Sequence, residues 1–156
     1  METRETVDNP EHAAKMDRRW KKFQEALGYT DKEIAIYRSD PQKVKAMERA
    51  SKFASYNIIA ECIKSRNCNA GHKIGDRIVL DGNGVILTNQ CPERICHSVI
   101  QVIAPTIYAI WERFGEDMED ASILLPYIHC PDVGVENGGW GETIWKVYAE
   151  PRAKTI

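Results

Sequence analysis

Apolar positions recur along this chain with two different periods, and the change falls near Ser55. Before it, Met16, Trp20, Phe23, Leu27, Ile34, Ile36, Tyr37, Val44 and Met47 are sparse and helically spaced. Asn9-Pro10 reads as a cap followed by proline at the first helical position. The helix it opens runs through Trp20 and Phe23 to Leu27, with Gly28 as its stop. Thr30-Asp31-Lys32-Glu33 is a capping box for a short helix to about Arg38. Asp40-Pro41 opens a third helix, expected to reach about Phe53. So few apolar positions predict helices that dock on something else, either the rest of the chain or a second subunit, rather than form a core of their own.

After Ser55 the pattern turns strand-like. Tyr56 to Ile63 is rich in β-branched and apolar residues and predicts a strand. A loop from Arg66 to Gly75 follows. Asp76 to Leu80 and Val85 to Leu87 read as two strands joined through Asp81-Gly82-Asn83-Gly84, a hairpin signal because these residues tolerate positive φ. Ser98 to Phe114 is apolar on most of its surface and predicts a buried helix. Pro105 should kink or split that helix, and Gly115 should end it. Glu116 to Asp120 reads as a solvated acidic loop. Ile123 to Ile128 and Thr143 to Ala149 read as further strands. Between them lies a loop, Pro131 to Glu142, with Gly134, Gly138, Gly139 and Gly141. From Pro151 onward the chain reads as a tail. The fold class expected is α+β: a small, mostly antiparallel sheet packed on one long kinked helix. Residues 1–54 form an N-terminal helical extension, and residues 55–156 form the α+β domain.

Composition narrows the function classes. A length of 156 residues suits one domain with an appended helical piece. The formal charge of −2 gives no electrostatic footprint for nucleic acid or an anionic membrane. No run approaches the ~20 apolar residues of a membrane helix, and Met1 to Asn9 lacks the apolar stretch of a signal peptide. The expectation is a cytoplasmic protein, working as a homodimer or within a larger enzyme complex. In a reducing compartment its five cysteines favour metal binding or thiol chemistry over disulfides.

Three separated stretches each pair a cysteine with a histidine: Cys68 with His72, Cys96 with His97, and Cys130 with His129. Cys91 adds another thiol. Cys62, flanked by Ile59 and Ile63, reads as a small buried hydrophobe. Thiolates and imidazoles select zinc, iron or an iron–sulfur cluster over magnesium or calcium. The metal reading takes its ligands from Cys68, His72, Cys91, Cys96, His129 and Cys130, although the spacing matches no standard zinc finger. A second reading makes the chain a Cys/His-dependent enzyme of hydrolase or lyase type. Cys96 and His97 would stand at the start of the apolar helix, where the dipole favours an anion and a more nucleophilic thiol. His72 or His129 would be the base, with Asp132 or Asp76 orienting it. Catalytic roles then fall to Cys96, His72 and His97. The glycine loop could bring backbone N–H groups to a ligand through Gly138 and Gly139, with Trp140 as an aromatic wall.

The stretches Cys68, Gly71-His72-Lys73-Ile74-Gly75-Asp76, Pro92-Glu93-Arg94-Ile95-Cys96 and Cys130-Pro131-Asp132 resemble the shared pattern of a family of small conserved hypothetical proteins of anaerobic bacteria and archaea. The resemblance covers about Tyr56 to Ala149. It implies that Cys68, His72, Cys96 and Cys130 belong to one site, and that Cys91 lies outside the common pattern. The family carries no assigned reaction. A zinc or iron protein, accessory to an anaerobic metabolic enzyme, is the leading expectation.

Overall fold

A computed structural model describes residues 10–116 and 122–152. The expected cap at Asn9 and most of the acidic loop to Asp120 lie outside the described residues. The chain divides into two compact units, Met1–Ala50 and Ser51–Ile156.

The first unit is helical: α1 (Pro10–Leu27), α2 (Asp31–Arg38) and α3 (Pro41–Glu48), with α4 (Ala50–Ala54) starting at its boundary. The local signals act as read. Gly28 follows α1 with a φ of 70°, the Thr30–Glu33 capping box is closed in both directions, and Asp40 caps α3 through the Gln42 N–H. Two expectations are corrected. The third helix does not run through to Phe53 but breaks at Arg49. Arg19 of α1 reaches the Met47 and Glu48 carbonyls and satisfies acceptors that a longer helix would have used. The helices also have a core of their own. Trp20, Ile34 and Met47 are buried together, with Phe23, Tyr29, Tyr37 and Val44 packed around them. Large aromatic side chains let few positions enclose a centre: Trp20 meets Phe23 and Tyr37 edge-on.

The second unit is a four-stranded antiparallel sheet in the order β2-β1-β4-β3, with one long helix. Its strands are β1 (Tyr56–Arg66), β2 (Arg77–Asp81), β3 (Tyr127–His129) and β4 (Glu142–Pro151). The helix α5 (His97–Gly115) is continuous through Pro105. The core is formed by Ile58, Ala60 and Cys62 of β1, Ile78 and Leu80 of β2, Trp145 and Val147 of β4, and Val99, Ile103, Ile107, Ile110 and Phe114 of α5. The unit is therefore α+β.

β2 and β4 are shifted or extended by one or two residues, to Arg77–Asp81 and Glu142–Pro151, and three strands differ more from expectation. β1 continues beyond Ile63 because a bulge between Cys62 and Lys64 absorbs that residue and restores the register with β4. Val85–Leu87 makes only a bridge between Ile86 and Leu80. At the outer edge of β2, Val79 accepts the Leu87 N–H, but its own N–H goes to Cys91 Sγ at 3.2 Å. A side chain thus replaces part of the missing strand. The last correction is at Ile123–Ile128, where the ladder begins only at Tyr127. Pro126 has no N–H to give, and Leu124 and Leu125 are exposed.

Candidate functional site

One end of the sheet faces the N-terminus of α5 across a cavity of about 350 Å³. Its lining comes from the three stretches that carry a Cys and a His. Cys68 and His72 come from the loop after β1, Cys96 and His97 from the start of α5, and Cys130 from the end of β3; Trp140 and Glu142 complete the far wall.

The His72 loop is built to point one ring inward. Gly71 and Gly75, on either side of it, have φ values of 81° and 91°, the left-handed region that glycine enters without a Cβ penalty. Cys62 clamps the loop to the sheet: its N–H donates to the Asp76 carbonyl, and its carbonyl accepts from Gly75 N–H, both at 2.8 Å. Ser65 Oγ donates to the His72 carbonyl at 2.6 Å, and the ring stands edge-on to Trp145. The imidazole is 2% exposed. Its Nε2 accepts the backbone N–H of Cys96 at 3.3 Å. An amide nitrogen can only donate, so Nε2 carries the lone pair and Nδ1 the proton. Nδ1 lies 3.5 Å from the Asp76 carboxylate, longer than a full hydrogen bond, and a negative charge there favours the proton on Nδ1. Asp76 is fixed in turn by the Lys73 N–H at 2.9 Å.

Cys96 is the N-cap residue of the 19-residue helix α5, and no side-chain cap bond occupies its sulfur. The first free N–H groups of the helix belong to His97, Ser98 and Val99, and these residues line the cavity. Arg94, just ahead of the helix, also lines the cavity. The arrangement places a cysteine at a helix N-terminus, an imidazole that accepts that cysteine's backbone N–H, and a carboxylate 3.5 Å from the ring's other nitrogen.

The other expected residues divide. Cys130 lines the cavity, with its sulfur accepting the Thr143 N–H at 3.3 Å. Cys91 lies elsewhere, at the edge of β2. Cys62 is fully buried, and burial pushes its thiol up to about 11. His129 points away, with Nδ1 against the Cys130 carbonyl and Nε2 3.4 Å from Glu142. Both its nitrogens face oxygens of the chain, and the residue does not line the cavity. Among the described residues, no three His, Cys, Asp or Glu side chains are gathered so as to hold one metal ion. The donor set does not fit a metal as it stands.

The glycine loop is organised by the protein's own carboxylate. Asp132 accepts N–H groups from Gly134 at 3.2 Å, Trp140 at 2.9 Å and Gly141 at 3.1 Å. Burial alone would raise the Asp132 carboxyl, but these bonds and one from Val133 outweigh it and hold it below its usual range. Gly139 is needed because a Cβ there would lie 2.1 Å from Asp132 Oδ1. The Trp140 and Gly141 amides are thus already used, and Gly138 and Gly139 do not line the cavity, whereas the exposed Trp140 does. Asp132 is a loop anchor rather than an orienter for His72.

Residues not anticipated include Arg94, Ser98, Thr143 and Glu142. Glu142 bonds Lys64 at 2.5 Å and meets His129, and these partners hold it ionised below the usual carboxylate range. Arg94 was visible inside the Pro92–Cys96 stretch, but only its place just ahead of a helix gives it meaning.

No helix among the described residues is long and apolar enough to cross a membrane. Comparison with known proteins returns no match among family models, curated proteins or solved structures.

Proposed function

We propose that the cavity is the active site of a thiol-dependent enzyme acting on a compact electrophile. Cys96 is the nucleophile, His72 the base that takes its proton once Nε2 exchanges the Cys96 amide for the neighbouring thiol, and Asp76 the group that keeps the His72 lone pair turned toward Cys96. The carrying observation is the contact of His72 Nε2 with the Cys96 amide, on the same residue as the thiol. Proton transfer makes an imidazolium beside the Asp76 carboxylate, which stabilises it. The N–H groups at the start of α5 and the Arg94 guanidinium stabilise negative charge that develops on the substrate. His97 is a wall of the cavity in this reading, and Trp140 its aromatic rim. A reducing compartment such as the cytoplasm suits the reading, since all five cysteines are free.

The test is brief labelling with iodoacetamide at neutral pH. The fast phase should vanish in Cys96→Ser. Fast labelling that persists in that variant overturns the assignment.

A second reading, a zinc or iron centre on Cys68, Cys96 and Cys130 with His72, is favoured by their common cavity. It requires these side chains to close on the ion and His72 to release the Cys96 amide. Metal analysis of protein purified without oxygen decides it: near-stoichiometric metal that survives dialysis supports the centre, and much less than one ion per chain removes it.

A further inference from the structure

We propose that Cys68 and Cys96 form a redox-active dithiol and that small disulfides are substrates of the cavity. The inference rests on Cys96 as the nucleophile and adds its partner.

Cys68 and His72 belong to one tight turn. Gly71 donates its N–H to the Cys68 carbonyl at 2.9 Å, which brings the Cα atoms of Cys68 and Gly71 within about 7 Å. His72 is the next residue, and its ring touches Cys96. The turn that delivers the base to Cys96 therefore delivers a second thiol as well. Asn67, just before it, has a φ of 52° and is the single non-glycine residue with positive φ among the described residues. It turns the chain off β1 so that Cys68 lines the cavity instead of continuing along the sheet.

The other thiols are engaged. Cys62 is buried in the core, Cys91 bonds the edge of β2, and the Cys130 sulfur holds the Thr143 N–H. Cys68 is half-buried on the loop after β1 and lines the same cavity as Cys96.

The chemistry balances as two exchanges. The Cys96 thiolate attacks one sulfur of the small disulfide, its bond to that sulfur forms as the disulfide breaks, and one thiolate leaves. The Cys68 thiolate then attacks the Cys96 sulfur, forms the Cys68–Cys96 bond and expels the second thiolate. Two electrons pass from the protein dithiol to the substrate, and the two thiol protons pass, through His72 for Cys96, to the leaving thiolates. A dithiol reductant such as dithiothreitol reverses the oxidation and permits turnover.

Each cysteine falls in its own tryptic peptide, so the test locates every sulfur. The reduced chain is mixed with excess oxidised glutathione without oxygen, quenched in acid and digested. Expected are two glutathione molecules released per chain and a link between the peptides spanning residues 67–73 and 95–113. Cys68→Ser should release one and keep the other on Cys96. A stable glutathione adduct on Cys96 in the unmodified chain, or a Cys96–Cys130 link, overturns the role of Cys68 and leaves the nucleophile standing. No adduct or link at Cys96 removes both the dithiol and the nucleophile.

Discussion

His72 Nε2 lies 3.3 Å from the backbone nitrogen of Cys96 and accepts its hydrogen. This contact joins two loops separated by the whole of β2 and fixes the ring's tautomer, because the donor cannot reverse its role. Nitrogen-15 NMR of labelled protein should find His72 in its neutral form with the proton on Nδ1. Asp76→Asn should lower the population of that form and slow Cys96 alkylation, while Asp132→Asn should leave the tautomer unchanged. A neutral His72 protonated on Nε2 would contradict the arrangement.

The Asp132 carboxylate holds the loop that carries Trp140, and its pKa in the folded chain lies below the usual 3.8. A depressed carboxyl contributes stability that is present above the unfolded value and lost as pH falls through the folded one. The loop should therefore be unchanged from neutral pH to about 4 and loosen only below that. Iodide quenching of tryptophan fluorescence reads this, since of the four tryptophans Trp140 is 75% exposed, Trp111 is half-buried, and Trp20 and Trp145 are buried. Loosening of the loop that begins near pH 6 would show that another group holds it.

Gly141 has no room for a side chain: a Cβ would lie 2.2 Å from the Asn67 carbonyl oxygen and 2.4 Å from that of Arg66. Gly141→Ala should destabilise the second unit by about 1–3 kcal/mol through overpacking. Denaturant titration should place its midpoint below that of the parent, with iodide quenching of Trp140 altered as well.

Trp145 Nε1 donates to Thr143 Oγ1 at 2.8 Å in a fully enclosed setting. Thr143→Val keeps the shape and strands the indole N–H, at a cost of about 1–3 kcal/mol. For a domain of this size the melting temperature should fall by roughly 5–15 °C. An unchanged melting temperature would mean that the indole finds another acceptor.

Much of this was legible in the chain. Thr30–Glu33, Asp40-Pro41 and Gly28 are local signals, and local geometry decides helix ends. Gly71 and Gly75 frame His72 in the sequence as they do in space. Other features depend on distant partners. Cys91 looked like a ligand because spacing cannot show that Val79 lacks an acceptor. The Gly138–Gly141 stretch looked like a ligand cradle because nothing in its sequence says that Asp132 fills it. Val85–Leu87 has strand composition, but Asp81 Oδ1 ties the Asn83 and Val85 N–H groups into a turn. The helical unit's core was hidden because one Trp among aromatics encloses more than a count of apolar positions suggests.

The most direct test of the cavity as a thiol site is the alkylation rate of all five cysteines, resolved peptide by peptide from pH 6 to 9. The account predicts Cys96 fastest at neutral pH. Cys91 should be slow, and Cys62 protected until the chain unfolds or pH approaches its value of about 11. The thiol of Cys62 is raised by folding, so the stability it contributes is complete below about 9 and is lost as pH rises toward 11. A Cys96 rate no greater than that of Cys91 at neutral pH would contradict the central claim.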